Sequence, residues 1–138
     1  MRRFVQINAP AKARANVAHH YDISDDLYGL FLDVDMQYSC AYFIDPKMSL
    51  EGAQSAKKSH ITRKLQLEPG MHVLDIGCGW GGMAMTLARD FGARMTGITL
   101  SENQLATAQQ RPEQAGLADQ ITFTYKTIAI PADNSTEL

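Results

Sequence analysis

The sequence lacks the features that mark membrane-spanning, secreted and nucleic-acid-binding proteins. No apolar run approaches the roughly 20 residues needed to cross a bilayer. Only 2 of the 138 residues are cysteines, and no secretory signal accompanies them, so we expect reduced thiols in the cytoplasm and no disulfide. With 13 basic and 15 acidic residues, the formal net charge is -2, which gives no basic excess to favour a nucleic acid partner.

Basic residues do concentrate at the start of the chain. Residues 1–23 are predicted to form a basic leader, in which residues 1–21 contain no acid. This leader lacks the apolar core of an export signal. It is either a solvated segment or an element that holds a cytoplasmic protein at the inner membrane surface through anionic lipids, and both interpretations stay open. Its basic residues are Arg2, Arg3, Lys12 and Arg14.

The most informative stretch is an apolar strand that breaks into glycines where a helix should begin. His72–Ile76 has the apolar character of a parallel strand buried on both faces, and a helical run follows from Met83. Glycines between them free the backbone to approach a ligand, and the amide groups of a helix start favour a polar or anionic group. This order predicts a site for a nucleotide-type cofactor. A tight turn without a ligand is the alternative.

The glycine spacing alone leaves the cofactor undecided, because residues 77–82 satisfy both GxGxxG and GxGxG. A dinucleotide site needs an acidic residue about 20 positions further on, where it holds the ribose hydroxyls. The second predicted strand, Arg94–Thr99, ends without one. Asp75 instead places a carboxylate at the mouth of the turn, where it suits an amino group such as that of a methionine moiety. The residues therefore favour S-adenosylmethionine over a nicotinamide cofactor.

Residues 24–70 are predicted to form a helical segment before the first strand. Ser24 should cap a short helix with acids in its first turn, and Ser49 should cap a longer one. Lys57 interrupts the narrow apolar stripe of the longer helix. A proline and a glycine at positions 69 and 70 then deliver the chain into the strand.

After the second strand, the pattern predicts one more helix and one more strand. Ser101 and Gln104 form a capping box, and Gly116 is the stop signal. Pro112 falls inside the helix and is expected to kink or shorten it. Ile121–Tyr125 alternates apolar and polar residues, which predicts the third strand.

Four blocks of sequence together are more specific than the glycine turn alone. They are His19-His20-Tyr21-Asp22, Gln37-Tyr38-Ser39-Cys40-Ala41-Tyr42-Phe43, residues 77–82, and Thr99-Leu100-Ser101-Glu102-Asn103-Gln104. In this order, over residues 14–123, the chain resembles the cyclopropane-fatty-acyl-phospholipid synthase and mycolic acid cyclopropane synthase family. Members are S-adenosylmethionine-dependent methyltransferases, which transfer a methylene unit to the cis double bond of an acyl chain on a phospholipid or a mycolic acid precursor.

The resemblance implies an α/β, Rossmann-like methyltransferase fold with helices on both faces of a mainly parallel sheet. The family's strand order is 3-2-1-4-5-7-6, and residues 71–126 would supply its first half. We therefore expect only the N-terminal half of the fold, about three parallel strands plus the N-terminal helices. His72–Ile76 would then lie at a sheet edge with unpaired backbone groups, open to aggregation or to pairing with another strand.

The resemblance also implies where the cofactor would be held. The contacts would come from the loop before the first strand, the glycine turn, and the end of the second strand with the helix after it. By residue they are Tyr38 and Ser39; then Gly77, Cys78 and Gly79 along the methionine and ribose portion; then Thr99 and Gln104 near the ribose. Asp75 would belong to the same pocket. A packing role for Tyr38 and a purely capping role for Gln104 are the alternatives.

Cys40 matches a family position beside a bound bicarbonate that acts as the base. The sequence marks no partner base that would make this thiol a nucleophile. In the family, Glu, His and Tyr residues from a later part of the chain hold that base, and we expect none of them here. No metal site is predicted.

After Phe123 the chain departs from the family pattern. Residues 127–138 do not match the segment that usually follows, which resembles Gln-Asp-Tyr-Arg-Asp. Yet codons chosen for the observed tail, read one base earlier, encode Gln-Asp-Tyr-Arg-Asp and later Gln-Phe-Asp-Arg-Ile. We therefore interpret residues 127–138 as an out-of-frame tail left by a single-base deletion, or as the divergent end of a short protein. Sequencing the gene decides between the two.

Two functions follow from the sequence. The first is, by family, the enzymatic transfer of a methylene group from S-adenosylmethionine to unsaturated phospholipids at a membrane surface. On this interpretation the present chain is expected to be inactive and to bind the cofactor weakly or not at all. The second is a non-catalytic module that binds the cofactor or another protein.

Overall fold

The computed structural model describes residues 25–126. The predicted basic leader, the His19-His20-Tyr21-Asp22 block, the Ser24 cap and the tail at residues 127–138 therefore lie outside the described residues. The division into a helical segment and a following sheet unit stays a prediction. In chain order, the described elements are α1 (Asp25–Gly29), α2 (Leu50–Leu65), β1 (His72–Ile76), α3 (Gly82–Phe91), β2 (Arg94–Thr99), α4 (Glu102–Ala115) and β3 (Ile121–Tyr125).

The three strands form one parallel sheet in the order β1-β2-β3. Leu74 is in register with Thr96, and Thr96 with Thr122. Each strand has the bounds that the sequence predicts, and α3 and α4 supply the crossover connections that parallel strands require. The prediction of an α/β fold with three parallel strands is confirmed.

Strand β1 lies at the edge of this sheet. Its apolar side chains Leu74 and Ile76 are 55% and 58% exposed. The burial on both faces that its apolar run predicts is therefore wrong, because β1 has the edge position that the family strand order implies. The aggregation or strand pairing expected of this edge stays a prediction.

The predicted caps are partly confirmed. Ser49 caps α2, where its Oγ accepts a hydrogen bond from Gly52 N at 3.2 Å. Ser101 caps α4 by accepting from Gln104 N at 3.3 Å. The reciprocal half of the predicted capping box is wrong, because Ser101 N donates to Thr99 Oγ1 at 3.2 Å. Gln104 is thereby left for another contact.

Helix α4 passes through Pro112 and ends at Ala115, so the expected shortening is wrong. Two hydrogen bonds close the last turn. The Gly116 amide donates to the Glu113 carbonyl at 3.2 Å, and the Leu117 amide donates to the Pro112 carbonyl at 2.8 Å. These bonds satisfy the end of the helix beyond the proline, which is why the chain continues as a helix there.

A buried apolar cluster joins α3, α4 and strands β2 and β3. Leu87, Met95 and Phe123 are among its members, each at most 5% exposed. The cluster fixes the sheet against its two crossover helices, and this packing sets where the carboxyl ends of β1 and β2 meet.

Candidate functional site

A cavity of about 460 Å³ opens at the carboxyl ends of β1 and β2. Ligands of parallel α/β sheets bind at this edge, and small-molecule sites commonly occupy about 300–1,000 Å³. The walls come from the loop before α2, the glycine turn, the end of β2 and the residues after it. The lining residues are Met36, Gln37, Tyr38, Ser39, Asp75, Ile76, Gly77, Cys78, Gly79, Trp80, Met83, Ile98, Thr99, Leu100, Gln104 and Lys126.

The structure brings all eight residues proposed for cofactor contact into this one cavity. They are Tyr38, Ser39, Asp75, Gly77, Cys78, Gly79, Thr99 and Gln104. Cys40 follows the loop, but it is exposed and does not line the cavity. Its role beside a bicarbonate stays a prediction.

The glycine turn holds the backbone at the cavity mouth in a left-handed conformation. Gly77 and Gly79 have φ angles of 75° and 56°, which residues with a side chain rarely adopt. The amides of Gly77 and Cys78 both donate to the carbonyl of Ile98, at 2.9 and 3.0 Å. A Cβ atom at either glycine would meet no atom within 4 Å, so the space beside the turn is open to a ligand.

Asp75 is the one acid among the lining residues that the structure describes. Its Oδ2 atom is buried and has no hydrogen-bond partner within residues 25–126. Burial also raises the pKa of this carboxyl above its ordinary value of 3.8. A buried acceptor without a donor is destabilising, and a cationic amino group from a ligand would satisfy it.

The wall formed by the end of β2 presents hydroxyl and amide groups. Thr99 Oγ1 donates to Gln104 Oε1 at 3.4 Å and accepts from the Ser101 amide, and all three residues are buried. No carboxylate of the described residues lines this wall. The geometry therefore agrees with the sequence argument against a dinucleotide, whose ribose would need an acid here.

The loop that carries Tyr38 and Ser39 is held in place by α2. Gln54 Nε2 donates to the backbone carbonyls of Gln37 and Ser39, at 3.1 and 3.0 Å. Lys57 Nζ donates to Gln37 Oε1 at 3.0 Å and to Ser39 Oγ at 2.9 Å.

The sequence pattern predicts only that Lys57 interrupts the apolar face of α2, and the structure does place it on the buried side of that helix, with Ala53 and Gln54. The side chain is 8% exposed, and its partners lie in the cavity loop. Desolvation by burial lowers the pKa of its ammonium group below 10.5. The signal that could have shown this was the pair Gln54 and Lys57, two long polar residues three positions apart on the face that should pack inward.

Trp80 lies inside the glycine turn and is hydrogen-bonded to Asp25, the first residue that the structure describes. Its indole is 2% exposed, and Nε1 donates to Asp25 Oδ1 at 2.9 Å. Asn103 and Thr107 of α4 donate to the same carboxylate, at 2.8 and 3.0 Å. Asp25 therefore joins α1, the glycine turn and α4, a role that its position in a helix first turn did not indicate.

Three aromatic rings in contact connect the glycine turn to the loop that carries Tyr38 and Ser39. The ring of Tyr28 lies 5.0 Å from that of Trp80 and 5.2 Å from that of Tyr38, both in edge-on contacts. Such edge-to-face pairs stabilise each other beyond the area they bury. Tyr38 is thus both a packing aromatic and a cavity residue.

A second group of hydrogen-bonded charged side chains lies next to the glycine turn. Asp35 pairs with Lys58 at 2.5 Å and with Arg111. Arg111 also donates to the Trp80 carbonyl at 2.8 Å. The loop at residue 35, α2, α4 and the glycine turn are thereby linked by one network of charged groups.

Replacing Asp25 by alanine is expected to lower the free energy of unfolding by about 1–2 kcal/mol, because the buried indole N–H of Trp80 loses its acceptor. Asp25→Asn keeps an oxygen for the indole, and its amide can donate to the Thr107 hydroxyl, so its loss should be smaller. Trp80 is the only tryptophan in the chain, so its fluorescence reports both variants during urea unfolding. Equal losses in the two variants would contradict this assignment.

Across residues 25–126, no helix combines the length and apolar character that crossing a membrane requires. The same residues contain no group of three or more histidine, cysteine, aspartate or glutamate side chains placed to hold a metal ion.

Comparison with known proteins points in one direction. The family model described as mycolic acid cyclopropane synthetase matches residues 8–129. The chain is 49% identical over 105 residues to a probable fatty acid methyltransferase of Pseudomonas putida, covering 76% of this chain and 27% of the relative. It is 49% identical over 108 residues to a cyclopropane-fatty-acyl-phospholipid synthase of Escherichia coli K12, covering 77% and 28%.

The fold agrees with these matches. The crystal structure of mycolic acid cyclopropane synthase CmaA1, complexed with SAH and CTAB, superposes with a TM-score of 0.77 at 42% identity, over 80% of this chain and 39% of that one. The chain thus spans 27–28% of the length of the curated relatives named above.

Proposed function

The chain belongs to the mycolic acid cyclopropane synthetase family of S-adenosylmethionine-dependent methyltransferases, and on that premise we propose that its cavity binds S-adenosylmethionine. The observation that carries the proposal is the unpaired, buried Oδ2 of Asp75 beside an open glycine turn. The carboxylate oxygen would accept a hydrogen bond from a cationic amino group, and the open turn leaves room for the ligand atoms next to that group. Thr99 and Gln104 also line the cavity, and their neutral polar groups would face the ribose.

The residues present fit this cofactor by the chemistry of their groups. When bound, it would supply an electrophilic methyl group for transfer to the double bond of an unsaturated phospholipid. Asp75 would hold the amino group, the glycine turn would pack along the methionine and ribose portion, and Tyr38 would close one wall. These residues orient the ligand and exclude water from one side of it.

Asp75 and Cys78, the two ionisable cavity groups at the glycine turn, are not available as proton acceptors for such a transfer. Asp75 is engaged by the amino group in this proposal. Burial raises the pKa of the Cys78 thiol to about 12, so this group stays protonated at neutral pH and cannot act as a base. This favours the second candidate, in which the 138-residue chain binds the cofactor without turnover. A bicarbonate beside Cys40 belongs to the proposal for the whole enzyme.

An acyl chain is the substrate that the surroundings of the loop support. Leu30, Val34 and Ile44 are 81%, 86% and 70% exposed. They belong to the same stretch of sequence as Tyr38 and Ser39, and exposed apolar side chains in this number are typical of a surface that meets another apolar body. We place the whole enzyme at the inner membrane surface, where unsaturated phospholipids lie.

Calorimetric titration with S-adenosylhomocysteine tests the proposal on the chain as it exists. We expect saturable binding with one site per chain and no binding of NADH. The second assay adds S-adenosylmethionine and vesicles of unsaturated phospholipid, with product detected by mass, and we expect no ring formation. Absence of S-adenosylhomocysteine binding contradicts the cofactor assignment, and ring formation contradicts the assignment of binding without turnover.

A further inference from the structure

We propose that Lys57 is a positioning residue, which holds the Ser39 hydroxyl so that it donates to the carboxylate of the methionine moiety. This inference rests on the proposed function, because it assigns one wall of the same cavity. Lys57 does not line the cavity and would act through Ser39, which does.

The geometry places Lys57 directly behind the loop. Its Nζ lies 2.9 Å from Ser39 Oγ and 3.0 Å from Gln37 Oε1. Gln54, one turn earlier on α2, fixes the backbone carbonyls of the same two loop residues. Helix α2 therefore holds both the side chains and the backbone of Gln37 and Ser39.

The direction of these hydrogen bonds decides what the cavity wall presents. An ammonium group has three donors and no acceptor, so Ser39 Oγ and Gln37 Oε1 must accept from Lys57. The hydroxyl hydrogen of Ser39 and the amide hydrogens of Gln37 are then directed to other acceptors. Both residues line the cavity, and Ser39 is exposed there. At Ser39 this wall consequently offers a hydroxyl donor to a ligand.

Groups of both charges surround Lys57. Desolvation by burial lowers the pKa of its ammonium group and Lys58 lowers it further, while Asp33, Asp35 and Cys40 raise it. Asp33 is itself held by the backbone N–H of Gln37, which donates to its Oδ1 at 2.7 Å. The Lys57 ammonium behind the Ser39 hydroxyl favours an anionic acceptor for that hydroxyl.

The cavity thus has an acceptor wall at Asp75 and a donor wall at Ser39. A methionine moiety carries one cationic amino group and one carboxylate, so each wall matches one of its charges. An adenosyl thioether without the amino acid portion would use neither wall. This difference makes the role of Lys57 measurable.

The test compares two ligands on the full chain. Lys57→Met is expected to weaken S-adenosylhomocysteine binding about 3- to 10-fold, which corresponds to one hydrogen bond. Binding of 5′-methylthioadenosine, which lacks the amino acid portion, should change less than twofold. Lys64→Met, at an exposed position of the same helix, is the charge-matched control and should leave both affinities unchanged.

A double-mutant cycle separates positioning from a general loss of structure. Ser39→Ala should show the same ligand selectivity, and adding Lys57→Met to it should produce little further loss. If Lys57→Met does not fold, Lys57→Gln, which keeps an N–H donor, is measured with the same two ligands. Equal weakening of both ligands, no weakening of either, or additive effects in the cycle would overturn the inference. If the unaltered chain binds no S-adenosylhomocysteine, the proposed function fails instead.

Discussion

Replacing Asp75 by asparagine is expected to weaken S-adenosylhomocysteine binding by roughly 10- to 100-fold, because a charge-assisted hydrogen bond to the ligand amino group is lost. The same change should stabilise the ligand-free chain by about 1 kcal/mol. A neutral amide in place of a buried carboxylate with an unpaired oxygen removes a charge that folding had to desolvate. Affinity and stability should therefore move in opposite directions.

The stability difference between the two proteins should depend on pH in a defined direction. Burial raises the pKa of Asp75 in the folded chain above 3.8, so the proton is held more tightly in the folded state than in the unfolded one. The stabilisation from that proton is fully present below pH 3.8. It is lost as the pH rises through the raised pKa of the folded state. The advantage of Asp75→Asn should therefore grow over this window and then level off.

Calorimetry supplies the affinities, and urea unfolding between pH 3 and pH 8 supplies the stabilities. Asp119→Asn, which changes an exposed aspartate between α4 and β3, is the matched control and should alter neither quantity by much. If Asp75→Asn lowered stability and affinity together at neutral pH, Asp75 would be a structural residue and the amino group would need another partner.

Adding a single methyl group at Gly97 is expected to lower the free energy of unfolding by about 2–3 kcal/mol. Gly97 lies in the middle of β2, and a Cβ there would stand 2.6 Å from Cε1 of Phe123 and 3.1 Å from Cβ of Cys78. Phe123 is 5% exposed, so its ring has no free space to move into. The strain would fall between the core and the glycine turn.

Gly29→Ala is the control for this variant, since it adds the same atom where no neighbour lies within 4 Å. We expect its stability to change by less than about 0.5 kcal/mol. Thermal unfolding should show a lower midpoint for Gly97→Ala, by roughly 8–12 °C at about 4 °C per kcal/mol. Similar midpoints for the two variants would mean that β2 and Phe123 yield readily at this position.

The strands were predictable because their signals are local. The bounds of β1, β2 and β3 follow from short apolar or alternating runs bounded by turn residues, and each is confirmed. Pro112 shows where the local rule fails. A proline disfavours a helix interior, but bonds from Gly116 and Leu117 beyond it complete the last turn.

The cavity residues were predictable for a different reason. The residue types of the glycine turn and Asp75 indicate a ligand site by themselves, and the family resemblance identifies Tyr38, Ser39 and Gln104. The residues behind the wall were missed. Lys57 has an ordinary helix position in sequence, and its partners are 18 and 20 residues away. Such a contact exists only once the loop and α2 have packed together.

The three bonds to Asp25 span 55, 78 and 82 residues of sequence. Closing long segments is entropically unfavourable, so contacts of this separation form late and slow the folding of a domain. The local turns of α2, α3 and α4 can form first, whereas the wall through Trp80 requires residue 25 to meet residue 107. During synthesis from the N-terminus, α1 therefore leaves the ribosome long before its partners exist, and the cavity is among the last parts of the chain to take shape.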